Sequence, residues 1–166
     1  MEIIRGGAFP DAQQFARIAE SVANQIMKHP MIAEECRKEG RTGGYFCLAR
    51  FSNSDPASFL IGKVGSPNPE KSEKYRRFCE EKVSRLFRHP LDRLSRQSRD
   101  EQKEQWSGGV RGNKLIVAVS FLPEHADEIW SLGFLRSIND LSFDEAAAIL
   151  DSHPNEFEPI YYDLDV

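Results

Sequence analysis

The chain lacks the features that assign a protein to a familiar chemical class. It has three cysteines, Cys36, Cys47 and Cys79, which are widely spaced and form no CxxC pair. An odd number of thiols without that spacing argues against a disulfide framework and a structural zinc site, so we expect buried thiols. No Walker loop, dinucleotide fingerprint or HExxH motif occurs. Because no acid–base or nucleophile constellation is legible, an enzyme is disfavoured and no catalytic residue is predicted.

Long apolar runs are also missing. None approaches the roughly 18 residues of a membrane span, and the first residues, MEIIRGG, lack the pattern of a secretory signal. We therefore expect a cytoplasmic protein with no membrane partner. The length of 166 residues fits one α+β domain over residues 1–166, and a domain of this size buries about 70% of its unfolded surface.

Charge is unevenly distributed along the chain, whose net charge is −4. Residues 71–99 contain 10 Lys or Arg and 4 Asp or Glu, a balance of +6, whereas residues 139–166 contain 8 Asp or Glu and no Lys or Arg. The two segments could attract each other or meet charged partners. One hypothesis is an interaction module that binds an acidic partner or nucleic acid, although a pI of about 5.6 argues against nucleic acid. Its anion-binding candidates are seven arginines: Arg76, Arg77, Arg85, Arg88, Arg93, Arg96 and Arg99.

Periodicity and turn residues predict the first half of the chain. Helices are expected over residues 12–28, with Asp11 and Gln14 as a capping box, and over residues 31–38. Residues 45–51 and 58–64 read as two strands of an antiparallel hairpin with a turn at 53–56. A helix then begins at Pro69, capped by Asn68. Residues 92–105 are polar and predict a loop or an exposed helix.

The second half centres on a strand predicted over residues 114–121, which is apolar on both faces and therefore interior. Residues 108–111 precede it as a partner strand, Pro123 begins a buried helix, and a capping box at Ser142 opens another. The end, residues 157–162, is expected to add an edge strand or bind a neighbouring subunit. Three His-Pro pairs, at His29, His89 and His153, are interpreted as helix stops.

This order of elements predicts an α+β fold. Helix, strand, strand, helix, strand, strand and helix indicate an antiparallel sheet with packed helices, as in profilin-like, PAS-like and GAF-like two-layer or three-layer arrangements. A pocket is expected between the sheet and the helices from Pro69 and Pro123, with Arg111 and His125 on its rim.

The stretch SGGVRGNKLIVAVSFLPEHADE, residues 107–128, resembles the C-terminal part of the GlcG/HbpS-like proteins, which are often described as haem-degrading or haem-binding domains. The likeness lies in the glycine pair, the LIVAVS strand and the acidic helix start, and it extends from about Glu70 onwards. The sequence departs from the family pattern at Arg111 and Phe121. The resemblance implies a sheet-and-helix fold, self-association and a small ligand such as haem, but it supplies no haem ligand here.

The candidate ligand-binding residues lie in the same stretch. Acidic residues at a helix start are favoured by the helix dipole alone, so helix-start electrostatics and a ligand or acid–base role both remain open. The glycine pair with Arg111 forms either an anion-binding turn or a plain hairpin. The leading hypothesis is thus a non-catalytic small-ligand-binding or sensory domain. Its site candidates are Gly108, Gly109, Arg111, His125, Asp127 and Glu128.

Overall fold

The described residues form one antiparallel sheet of five strands. A computed structural model describes residues 3–5, 11–50 and 59–166. The strands are paired in the order β1-β3-β2-β5-β4, which confirms the predicted α+β class with an antiparallel sheet. Their bounds are Ile3–Arg5 (β1), Gly43–Arg50 (β2), Phe59–Gly65 (β3), Gly109–Arg111 (β4) and Leu115–Ser120 (β5).

Six α-helices accompany the sheet within the described residues. None of them combines the length and the apolar character that crossing a membrane requires. Two short 3-10 turns, Ser95–Ser98 and Glu101–Lys103, follow the third helix. The helices are Ala12–Lys28 (α1), Pro30–Lys38 (α2), Pro69–Arg88 (α3), Glu124–Ser137 (α4), Phe143–Ser152 (α5) and Glu158–Asp163 (α6).

The sheet is the middle of three layers. Helix α3 packs across β2, β5 and β4, and α1 and α4 cover the other face. The alternation of side chains along β2 shows these two faces. Tyr45 faces α3, where its hydroxyl lies 2.7 Å from Ser72 Oγ. Its neighbour Phe46 faces α4, where its ring centroid lies 6.1 Å from that of Trp130. Both faces of the sheet are thereby buried.

Strand β5 is interior, as its sequence predicted. It pairs with β2 on one side and with β4 on the other, and all six of its residues are buried. The following helix α4 is buried along most of its length, also as predicted. The end of β5 and the start of α4 therefore lie at the centre of the fold, where they can position a site.

Most of the predicted helix ends are confirmed. The three histidines of the His-Pro pairs are the C-cap residues of α1, α3 and α5. Asn68 caps α3, with its side chain accepting a hydrogen bond of 3.0 Å from Glu70 N. The capping box of Ser142 with Glu145 is also present.

Three local predictions are wrong or only partly right. Asp11 makes no capping hydrogen bond, because its backbone (φ −90, ψ 15) lies outside the β region typical of an N-cap. Residues 157–162 form no edge strand: Pro159 lies in the first turn of α6, which packs on α4. Residues 92–105 contain 3-10 turns, and Leu94 within them is fully buried.

The hairpin prediction is confirmed only in part. Strands β2 and β3 pair antiparallel. The turn predicted at 53–56 and the last residue of the first strand, Phe51, lie outside the described residues.

Candidate functional site

A cleft of about 380 Å³ opens where α3, the end of β5 and the start of α4 meet. It lies between the sheet and the helices that follow Pro69 and Pro123, which is the position where the sequence predicts a pocket. The floor is polar and one wall is aromatic. The lining residues are Glu39, Arg41, Lys71, Lys74, Tyr75, Phe78, Lys82, Trp106, Ser120, Phe121, Leu122, Glu124 and Asp127.

A buried ion pair forms the floor of the cleft. Lys82 Nζ lies 2.8 Å from Asp127 Oδ2 and donates a second hydrogen bond of 2.8 Å to the carbonyl of Val119. The two side chains are only 2% and 4% exposed. Helical spacing places Lys82 on the sheet-facing side of α3, seven residues after Tyr75. The ammonium group thus reaches the end of β5 from the opposite layer of the fold.

Asp127 also joins the end of β5 to the start of α4. Its Oδ1 accepts hydrogen bonds from the backbone N–H groups of Leu122, at 3.0 Å, and Phe121, at 3.4 Å. Burial raises the pKa of Asp127 to about 6, against the opposing effect of Lys82 and of the backbone N–H donors. The carboxylate is therefore both a connector between two elements and a group that can change its charge near neutral pH.

Gly108 lies directly against this ion pair. Its φ of +116 is a conformation that residues with a side chain rarely adopt, and a Cβ there would lie 2.6 Å from the Cβ of Asp127. Its carbonyl accepts a hydrogen bond of 2.6 Å from Ser131 Oγ on α4. Glycine at this position lets β4 approach α4 closely enough to enclose Lys82 and Asp127.

The wall of the cleft is aromatic. Tyr75 and Phe78 project from α3, and the ring of Trp106 meets that of Phe78 edge-on with centroids 6.1 Å apart. Lys74 Nζ lies 5.4 Å from the centroid of the Phe78 ring. Burial raises the pKa of Tyr75, so its phenol stays protonated at neutral pH. The wall is therefore an uncharged surface with a cation at its edge.

Arg41 closes the cleft on the side of β5. Its Nη1 donates hydrogen bonds to the carbonyls of Phe121, at 2.9 Å, and Leu122, at 3.1 Å. These carbonyls follow Ser120, the last residue of β5. Arg41 therefore fixes the segment between β5 and α4 and brings a positive charge to the cleft.

Glu124, which also lines the cleft, is bound by Arg99 and by the backbone of Ser107. Its Oε1 lies 2.6 Å from Nε of Arg99 and accepts a hydrogen bond of 2.9 Å from the backbone N–H of Ser107. Burial by itself would raise the pKa of Glu124, but these hydrogen bonds outweigh it and hold the pKa at about 2. The carboxylate is ionised at all physiological pH values, and its charge is compensated.

The predicted ligand-binding residues do not form one site. Asp127 lines the cleft and Gly108 supports it. Gly109 is packed against Leu86 and Ser95. Arg111 does not reach the rim: its guanidinium donates to the carbonyls of Leu86, Asp92 and His89, at the C-terminal end of α3.

The other two candidates on α4 lie away from the cleft. His125 Nδ1 is 2.6 Å from Glu156 Oε2 in a partly exposed pair. Glu128 is fully buried and its Oε1 lies 3.1 Å from Nη2 of Arg96. Asn155 donates a further hydrogen bond of 3.2 Å to the same oxygen. Burial raises the pKa of Glu128 despite these partners.

The seven candidate arginines of the basic segment, residues 71–99, have different partners in the structure. Arg85 is 1% exposed and donates to the carbonyls of Ser98 and Trp106. Arg96 donates to the carbonyls of His153 and Pro154, which ties the basic segment to the C-terminal one. Arg77 and Arg99 pair with Glu104 and Glu124. Within the described residues, the side chains of Arg76, Arg88 and Arg93 form no ion pair.

Sequence reasoning missed most of the lining residues. Lys82 lies on the apolar face of a strongly patterned helix, and a lone lysine there is a detectable anomaly because lysine is rarely buried unless it is paired. Arg41 and Trp106 lie in or beside turns and carry no such pattern. Only the fold brings them to the cleft.

The cleft does not suit haem. Among its lining residues there is no histidine, cysteine or methionine, and Tyr75 is the remaining type of side chain that ligates haem iron. The raised pKa of Tyr75 opposes the tyrosinate form that iron would need. In the part of the chain that the structure describes, no group of three or more His, Cys, Asp or Glu side chains is placed to hold a metal ion.

Comparison with known protein families, curated proteins and solved structures finds no match to this chain.

Proposed function

We propose that this chain is a non-catalytic ligand-binding domain that holds a small organic molecule in the cleft between α3, β5 and α4. The observation that carries the proposal is an open cleft with an aromatic wall and a buried ion pair at its floor. Small-molecule sites combine apolar surface with a few placed polar groups in this way, and their volumes begin at about 300 Å³.

The ion pair supports a functional rather than a purely stabilising role. Removing two charges from water costs free energy that their attraction repays only in part, so a buried salt bridge is weak evidence for stability. Lys82 and Asp127 nevertheless line the floor of an open cleft, where their charges contribute to the field that a ligand would meet. A lysine has three N–H donors, and two of those on Lys82 are used within the chain.

A binding role fits these groups better than catalysis does. Lys82 is bonded to Asp127, and Asp127 is also bonded to two backbone N–H groups. Glu124 is held by Arg99 and Ser107. The acids and bases at the cleft thus hold one another and the backbone in place. The resemblance to GlcG/HbpS-like proteins, a sensory role and self-association stay predictions.

The alternative function, an interaction module that uses the basic segment, has less support. Four of its seven arginines already bind groups within the chain: Arg77, Arg85, Arg96 and Arg99. A phosphate-binding surface would need those guanidinium groups to be free.

The proposal is tested with a library of small organic fragments and amide chemical shifts of the isotope-labelled protein. Binding should move the resonances of residues 120–122 and the indole of Trp106, while those of Trp130, on the opposite face of the sheet, stay unchanged. Ser120→Leu should abolish the shifts, because the new side chain projects into the cleft. Ser21→Leu, on the exposed side of α1, is the matched control. Fragments that bind only elsewhere, or none that bind at all, would overturn the proposal.

A further inference from the structure

We infer that the ligand of this cleft is an organic anion, with a flat apolar body against the aromatic wall and a carboxylate or phosphate group toward Arg41, Lys71 and Lys74. The inference rests on the proposed function and narrows it to one chemical class. It depends on which charges at the cleft are already compensated and which are not.

Three cations at the cleft have no acidic partner among the residues that the structure describes. Within the described residues, no carboxylate forms an ion pair with Arg41, Lys71 or Lys74. Arg41 donates to the carbonyls of Phe121 and Leu122, and Lys71 Nζ donates to the carbonyl of Glu39 at 2.7 Å. A carbonyl satisfies a donor but does not cancel its charge, so the positive charge of these groups remains.

Two of the three carboxylates at the cleft are paired with basic side chains of the same chain. Asp127 is paired with Lys82 and Glu124 with Arg99. Glu39 is the one lining carboxylate without a cationic partner among the described residues, and its side chain is exposed. Once these internal pairs are set aside, three cations face one anion.

This local balance is opposite in sign to the whole chain, whose net charge is −4. A cleft lined by uncompensated charge of one sign concentrates field lines and raises the local concentration of counter-ions. The surplus at the cleft is therefore a property of its lining and not of the composition, which by itself would repel anions.

The aromatic wall gives the ligand its second feature. Phe78 and Trp106 meet edge-on, and with Tyr75 and Leu122 they line one side of the same cleft. A flat ring lying there would bury apolar area while its charged substituent stays near Lys74 at the rim. A free inorganic ion would leave this surface uncovered, so the structure favours an anion that carries an apolar body.

A pair of dyes that share one ring system tests the inference. Anilinonaphthalene sulfonate carries a negative charge, and N-phenylnaphthylamine has the same rings without the sulfonate. Affinity is measured by dye fluorescence, and the binding position by the amide chemical shifts of residues 120–122 and the resonance of the Trp106 indole. We expect the anion to bind about tenfold more tightly, since each of three cations contributes about a factor of two.

Lysine-to-glutamine variants show which charge causes the preference for the anionic dye. Lys74→Gln should weaken binding of the anionic dye about twofold and leave the neutral dye unchanged, because one exposed cation contributes roughly that much. Lys28→Gln, at an exposed position at the end of α1, removes the same charge at a distance and should change neither affinity. Lys74 is exposed, so its substitution leaves the fold intact. Salt of about 0.5 M should reduce the preference for the anion, because it screens charges across a few ångströms.

The outcomes separate the two proposals. If both dyes bind at the cleft with equal affinity, or the neutral dye binds more tightly, the anion inference is overturned while the proposed function stands. If neither dye nor any fragment binds there, the proposed function fails and takes the inference with it. Benzoate and phenyl phosphate, compared with benzyl alcohol in the same chemical-shift assay, then distinguish a carboxylate ligand from a phosphate ligand.

Discussion

Asp127 and Glu128 are neighbours in the sequence and in the first turns of α4, yet they lie in two different environments. Both are buried, and each pairs with a basic side chain from residues 71–99. Asp127 pairs with Lys82 at the floor of the cleft. Glu128 pairs with Arg96 on another side of the helix, where the C-terminal segment covers it through Asn155.

The comparison shows that two adjacent acids, each paired with a basic side chain, can have different structural roles. Consecutive side chains of an α-helix are rotated by about 100° around the helix axis, so adjacent acids face different neighbours. The pair of Glu128 fastens the C-terminal segment to the body of the fold. The pair of Asp127 joins β5 to α4 and also borders the cleft. A difference in stability and in pH response between the two sites is therefore expected.

The largest expected effect comes from Asp127→Leu. The substitution leaves the buried ammonium of Lys82 and the N–H groups of Phe121 and Leu122 without their acceptor. We expect a loss of about 3–5 kcal/mol in the free energy of unfolding, the usual result of breaking a buried pair, as measured by urea denaturation followed by tryptophan fluorescence. A loss below about 1 kcal/mol would show that water solvates Lys82 and that the floor is open to solvent.

The next largest effect concerns pH. The pKa of Asp127 is raised to about 6 in the folded protein from an unfolded value near 3.8. The folded state therefore binds the proton of Asp127 more tightly than the unfolded state does. The resulting contribution to the free energy of unfolding is greatest below pH 3.8 and is lost as pH rises through 6. A two-unit shift corresponds to about 3 kcal/mol. Relative to Asp127→Asn, which cannot titrate, wild type should lose about that much stability between pH 4 and pH 7.

Urea unfolding of both proteins at several pH values measures this difference. Wild type and Asp127→Asn share every other titrating group, so their background pH dependence cancels. A difference that stays constant with pH, or that grows in favour of wild type as pH rises, would contradict the raised pKa.

A smaller effect is expected from Arg96→Met. Glu128 loses its cation and the carbonyls of His153 and Pro154 lose their donors. Glu128 keeps the amide of Asn155 and can take up a proton, and Arg96 is itself partly exposed at 17%. We expect a loss of about 2 kcal/mol, with faster hydrogen exchange in α6. The affinity of the cleft for the anionic dye should be unchanged, since Arg96 does not line it. A fall in that affinity would show that the two sites are coupled.

Prediction from sequence worked where the physics is local. Proline after histidine ends a helix whatever surrounds it, so His29, His89 and His153 were correctly assigned as helix ends. The continuous apolar run of β5 is short and rich in valine and isoleucine, which indicated a strand covered on both faces. The same reasoning failed for residues 157–162, whose β-forming residues were overruled by packing against α4.

The candidate site was harder to predict because it depends on contacts between distant residues. Asp127 was identified as a candidate at a helix start, but its partner Lys82 lies 45 positions earlier. Arg111 was assigned to a pocket rim because of its position in the chain, and it instead satisfies carbonyls at the end of α3. The polarity of a residue shows that it needs a partner but does not show which one.

The sequence by itself determined the order of the helices and strands from α1 to α5, the interior position of β5 and the amphipathic face of α3, because periodicity and turn chemistry act over a few residues. The tertiary structure alone decided that Lys82 reaches Asp127, that Arg96 reaches Glu128, and that three uncompensated cations share a cleft with an aromatic wall. Electrostatic pairing acts through space, so its partners are determined only when the layers of the fold pack together.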